Sequence, residues 1–193
     1  MTIKISIINN TKLLLAAVSV LTIFTFSQCK KNKTDEPQLP PETTTGAMTF
    51  GCKVNGKVFV PKDGRGRPRL YVQYVNLGAS VGGGWFLNMP ATNWVPSTPE
   101  GVNIGTDSLL ISEGSTYEFK LSTTNQSIKG SFNTFCDFNG KTYAKTASDT
   151  GSIYIRKFDQ INRILSGTFF YSATNISTSE KISITEGRFD IRY

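Results

Sequence analysis

From Thr49 onward, apolar and polar side chains alternate with period two in short bursts broken by Gly, Asn, Asp and Ser. No stretch keeps the spacing of a helix face, so the pattern predicts an all-β domain over residues 49–193. The first burst, Thr49-Phe50-Gly51-Cys52-Lys53-Val54, meets Lys57-Val58-Phe59-Val60 across Asn55-Gly56. A second pair of runs, beginning at Cys136 and ending at Tyr143, meets across Asn139-Gly140. Asn-Gly between two such runs predicts a type I′ hairpin, because both central residues of that turn need positive φ. Both copies read Cys-x-apolar-Asn-Gly-Lys-x-aromatic, one turn solution reached twice.

In the last third, Ile153 and Ile155 share one face of a strand, and Leu165, Gly167, Phe169, Tyr171 and Ala173 share one face of the next. The final run changes parity: Ile182 and Ile184 are even, Phe189, Ile191 and Tyr193 odd. A one-residue slip must separate them, and Gly187 marks the place for a β-bulge. Further runs at residues 70–75, 85–89, 109–112, 117–122 and 131–135 bring the count to roughly ten strands, the spacing of an antiparallel β-sandwich or a β-barrel. The sandwich is the reading adopted. Residues 90–107, with Pro90, Trp94, Pro96, Pro99 and Gly101, predict the longest loop.

The N-terminus is organised differently. Lys4 and Lys12 precede an uncharged stretch over residues 13–26, too short to span a membrane, which needs about 20 apolar residues. This is the layout of an export signal over residues 1–28. The sequence that follows, Phe26-Ser27-Gln28-Cys29, resembles a bacterial lipobox. That resemblance implies cleavage before Cys29 and a diacylglycerol on its sulfur, so that the lipid attaches the chain to a membrane without spanning it. Residues 29–48 carry three Pro and a Thr run and read as the lipidated N-terminus and a flexible tether. Lys30 stands where an inner-membrane retention signal would need Asp, which makes the outer membrane the default location. Asp35-Glu36 follow Lys30, Lys31 and Lys33, and the choice between periplasmic and surface-exposed leaflet stays open.

The export signal with Cys29, the opening run 49–57, Ser166-Gly167-Thr168-Phe169 and the close Ile184-Thr185-Glu186-Gly187-Arg188-Phe189-Asp190 together resemble uncharacterised lipoproteins of the Bacteroidetes. The resemblance implies a cell-envelope location and a β fold, and carries no known activity.

The chain has no His, which removes the commonest general base and metal ligand together with every His-dependent triad and zinc site. No metal and no cofactor are expected; Gly82-Gly83-Gly84 has no following Lys or helix to make a phosphate loop. Without Lys4 and Lys12 of the signal, 19 basic residues face 14 acidic ones, a net charge of +5. That surplus does not imply nucleic acid as a partner. The densest basic run, residues 62–69 with Lys62, Arg65, Arg67 and Arg69, reads as a solvated loop between strands. Asp149-Thr150-Gly151 spells the aspartic-protease signature, but it occurs once and after polar residues, so it reads as a hairpin loop. Glu113, Glu118, Asp159, Glu186 and Asp190 offer no spacing that selects a glycosidase pair.

Aromatic residues are in surplus, and Trp94, Trp85, Tyr71 and Tyr74 are the ligand-binding candidates, since flat rings stack on sugars. Trp94 leads because of its place in the Pro-rich stretch. Cys52 and Cys136 remain once Cys29 is lipidated, and in an oxidising compartment they are candidates for a disulfide, with two separately buried thiols as the alternative. The functional expectation is a membrane-anchored, non-enzymatic binding module for a glycan or an envelope protein. A structural or assembly subunit of an envelope complex is the first alternative, a hydrolase the second.

Overall fold

The computed structural model describes residues 37–79, 82–121 and 128–193. The expected signal peptide (residues 1–28), Cys29 and residues 30–36 of the expected tether lie outside the described residues. Eleven strands follow one another: β1 (Thr49–Val54), β2 (Lys57–Phe59), β3 (Gln73–Asn76), β4 (Trp85–Asn93), β5 (Glu100–Asp107) and β6 (Thr116–Glu118). The second half holds β7 (Ser131–Phe138), β8 (Lys141–Ala144), β9 (Gly151–Asp159), β10 (Ile164–Thr174) and β11 (Lys181–Arg192). The described residues contain no α-helix.

All strand pairs are antiparallel, in the order β2-β1-β11-β10-β8-β7-β5-β4-β3, with β9 sharing the β8 edge of β10 along Ile164–Tyr171 and β6 beyond it. The sheet folds over where Thr174, the last residue of β10, pairs with Ala144 of β8. One layer then holds β2, β1, β11, β10, β9 and β6, the other β8, β7, β5, β4 and β3. Rings from strands far apart in that order meet between the layers: Phe59 on Phe138 at 5.3 Å, Tyr74 on Phe158 at 5.5 Å and Tyr117 on Phe132 at 5.2 Å. The fold is a β-sandwich.

Both Asn-Gly hairpins form, with φ of +47° and +82° at Asn55 and Gly56 and +54° and +72° at Asn139 and Gly140. The slip in β11 is also present. Phe169 faces Gly187 and Tyr171 faces Ile184, so Thr185 and Glu186 together oppose Phe170. Glu186 takes the positive φ of +50°, while Gly187 admits the Phe169 ring, which would lie 2.5 Å from a Cβ there. The bulge keeps Ile182, Ile184, Phe189 and Ile191 all in the core.

Two expected boundaries are corrected. Residues 90–107, expected as a long loop, are mostly strand: β4 continues to Asn93, β5 begins at Glu100, and only residues 94–99 connect them. Pro90 is tolerated because its backbone points toward Tyr71, whose N–H donates to the Pro90 carbonyl, and away from the β5 ladder. Residues 109–112, expected as a strand, belong to none; the Tyr74 hydroxyl holds them, donating to the Leu109 carbonyl and accepting from Ile111 N–H.

Residues 37–48 of the expected tether are laid against β11 and belong to the same compact unit as the strands. The Asp190 carboxylate, 1% exposed, accepts hydrogen bonds from Thr43 Oγ1 and from Thr45, Gly46 and Ala47 N–H. Arg188 donates to Pro40 O, and Arg156 pairs with Glu42.

Candidate functional site

Parity places the site. On β4, Leu87, Met89 and Ala91 are buried, which leaves Pro90, Thr92 and, just past the strand, Trp94 on the outer face. On β5, Val102 and Ile104 point in and Gly101 and Asn103 out; on β7, Cys136 and Phe138 point in and Phe135 and Asp137 out. The register aligns these into two rows across the three strands, Pro90-Asn103-Phe135 and Thr92-Gly101-Asp137. Gly101 leaves a gap in the middle of the second row, where a Cβ would meet Ala91 O at 2.9 Å.

Over that gap opens a cleft of about 290 Å³ lined by Trp94, Pro99, Glu100, Asn103, Phe135 and Asp137. A second cleft of about 240 Å³, lined by Arg67, Pro68, Tyr71 and Trp94, shares Pro90, Thr92 and Trp94 with the first as a common wall. Trp94 is therefore the ridge of a two-part surface. Its indole N–H donates to Pro68 O at 2.9 Å, its backbone N–H to Lys62 O at 3.0 Å, and the Arg67 guanidinium lies 4.7 Å from its ring centroid. The basic segment that grips it is a built turn. Gly64 and Arg67 exchange backbone hydrogen bonds around Arg65 and Gly66, both at positive φ, and Arg65 donates to the Pro96 and Ser97 carbonyls.

Of the four aromatic candidates, the structure brings Trp94 and Tyr71 together and sends the other two elsewhere. Tyr71 is 52% exposed, whereas Tyr74 is buried and stacks on Trp85 at 4.9 Å. Trp85 packs against the core with Phe158 and Tyr193 nearby, at one end of the sandwich. Alternation carries the distinction: residues 71 and 74 differ by an odd number, as do 85 and 94, and so take opposite faces. The same arithmetic along β5 and β7 points to Asn103, Phe135 and Asp137, which the sequence reading missed.

The remaining chemical candidates hold the chain together. Asp149 lies buried between β8 and β9, accepting from Thr146 N–H at 2.8 Å, Thr146 Oγ1 at 2.7 Å, Ser172 Oγ at 3.2 Å and Thr174 Oγ1 at 3.0 Å. Burial pushes its pKa up, and the donors from Thr146, Thr174 and Ser172 outweigh that and hold it below the usual carboxylate value. It borders a cleft of about 610 Å³, with its oxygens engaged by its own loop and β10 and with Lys181 Nζ of β11 3.8 Å from Oδ1. Glu113, Glu118, Asp159 and Glu186 are engaged separately, with Lys157, Lys120, Asn162 and Lys53. No three His, Cys, Asp or Glu among the described residues are placed to hold a metal ion.

Cys52 and Cys136 are not joined. Both are free and buried; the β1–β2 and β7–β8 hairpins are not ladder neighbours, and Phe59 and Phe138 of the two meet across the core. Burial pushes both thiols up, Cys136 to about 12, which makes them inert apolar packing. The Tyr171 hydroxyl lies beside Cys136 and Thr134 without completing a hydrogen bond.

No protein family matches the chain, and neither a curated protein nor a solved structure is detectably similar to it.

Proposed function

We propose that this chain is a lipid-anchored protein of the outer membrane whose β-sandwich is a non-enzymatic glycan-binding module, with the outer face of β4, β5 and β7 as the binding surface. The observation that carries this reading is the pairing of exposed aromatic rings with polar side chains around two clefts that meet at Trp94. Sugar rings have apolar faces and hydroxyl rims. Tyr71, Trp94 and Phe135 offer flat apolar surface, while Asn103, Glu100 and Asp137 supply acceptors and an amide donor for hydroxyls. Each cleft is below the roughly 300–1,000 Å³ of a site that engulfs a drug-sized ligand. The surface therefore suits one ring of a chain per cleft, held from one side.

The anchor rests on the lipobox-like Phe26-Ser27-Gln28-Cys29. Two acyl chains give a membrane attachment of the order expected from about 0.8 kcal/mol per buried methylene.

The test has two parts. A glycan array probed with the purified protein and with Trp94→Ala is expected to show binding that the substitution weakens by about tenfold or more, with no cleavage products by chromatography. Labelling cells with a tagged fatty acid is expected to mark the wild type and not Cys29→Ala. Binding untouched by Trp94→Ala rules out this face; equal labelling of the two forms rules out the anchor.

A further inference from the structure

Resting on the glycan reading of the Trp94 face, the geometry points to an acidic glycan as its ligand. A carboxylate or sulfate would sit on Arg67 and a hydroxyl-bearing neighbour ring over Gly101. Among the exposed cations of this protein, Lys53, Lys120, Lys141, Arg156 and Lys157 each have a carboxylate within 4 Å. Lys62, Arg65, Arg67 and Arg69, four cations within eight residues, have none among the described residues. The one acid in that run, Asp63, accepts from the backbone N–H of Arg69 at 2.7 Å. Lys57, Lys129, Arg163 and Arg192 have no carboxylate within 4 Å among the described residues either, but they are scattered along the chain, whereas these four are clustered and keep a positive field beside the aromatic ridge.

The segment is also pre-positioned. Trp94 is pinned to Pro68 and Lys62, and Arg65 to the 96–97 turn. Arg67 lies over the indole, while its side-chain N–H groups donate to no protein acceptor among the described residues. A guanidinium held by its face and free at its edges presents the fork that matches a carboxylate or sulfate.

The other cleft has the opposite sign. Glu100 and Asp137 line it, so an anion is repelled there while neutral hydroxyls find acceptors. The two clefts thus orient one ligand, acidic end toward Arg67. The same polarity disfavours an anionic membrane or a nucleic-acid strand, either of which would lay further negative charge against Glu100 and Asp137.

Detergent-solubilised full-length protein, titrated with polygalacturonate, alginate and chondroitin sulfate and with neutral dextran, laminarin and fully methyl-esterified polygalacturonate, tests the inference. The ester keeps the ring and removes the charge. At least one acidic polymer is expected to bind about tenfold or more tightly than its neutral counterpart, with the advantage shrinking as salt rises. The Arg65→Gln/Arg67→Gln variant is expected to lose the preference for acid over ester, with circular dichroism confirming that it stays folded. Equal binding of acid and ester by the wild type overturns the charge inference and leaves the glycan reading standing. Failure to bind any of the six polymers overturns both. Tight binding to phosphatidylglycerol vesicles or to oligo-dT, unaffected by Trp94→Ala, overturns the inference in favour of a headgroup or phosphate site.

Discussion

The outward residues of β11 and those of β4, β5 and β7 meet opposite fates. On β11, Asp190 is covered by residues 43–47 and saturated with donors, Arg188 reaches Pro40, and Arg192 reaches Thr45. On the other layer, Tyr71 is 52% and Phe135 39% exposed, and Arg67 finds a ring but no acid. A charged group that folding requires is surrounded by complementary groups from its own chain. One left beside clefts and exposed rings has its complementarity unfilled, which is what a ligand supplies.

The largest effect is expected at Asp190. Replacing it with Ala strands several part-buried donors from residues 43–47, at a cost of about 3 kcal/mol, measured by urea denaturation. Burial raises the Asp190 pKa, but the donors from Thr43, Thr45, Ala47 and Gly46 outweigh it and hold the value below the ordinary 3.8. A depressed folded pKa means that the stabilisation is complete above the ordinary value and is lost as pH falls through the folded one. The acid limb of the stability curve is therefore expected to flatten in Asp190→Asn. Protease resistance of residues 37–48 unchanged in the Ala variant would show that the segment does not depend on this carboxylate.

Gly187→Ala comes next, at about 2 kcal/mol, because the new methyl group would press on the Phe169 ring inside the bulge. A thermal midpoint within a degree of wild type would mean that β11 has room the structure does not show.

What the sequence revealed of these faces follows from how local each signal is. The Asn-Gly turns and the parity slip at Gly187 depend on residues within a few positions of one another, and both were legible. The strand through residues 90–93 was not, since Pro reads as a breaker unless the direction of its missing N–H is known. Nor was the docking of residues 37–48: a Pro- and Thr-rich stretch looks like a linker, and its partner Asp190 lies more than 140 residues away. Trp94 was found by composition, but its union with Arg67, Phe135 and Asp137 needed the register of three strands. The state of Cys52 and Cys136, both free and buried, was not legible either: two alike hairpins do not say how their sulfurs lie relative to each other.

On the open face, Trp94→Ala is expected to cost only about 1 kcal/mol of stability, from one hydrogen bond and one cation–π contact at a half-exposed site. Its effect on glycan binding should be the larger of the two. A stability loss matching that of Asp190→Ala would recast the indole as a structural pillar.

The smallest effect is expected at Arg67. Its side chain is exposed and lies on the Trp94 ring, so Arg67→Gln should change unfolding free energy by about 0.5 kcal/mol or less. A double-mutant cycle with Trp94→Ala should return a coupling of the same size, because the cation–π contact is what the two side chains share. A coupling above about 1.5 kcal/mol would show that the arginine turn is held for the fold's sake, as Asp190 is, and the contrast between the two faces would fail. Near-neutrality instead leaves the guanidinium without a structural reason to lie over that ring, between two clefts of opposite charge.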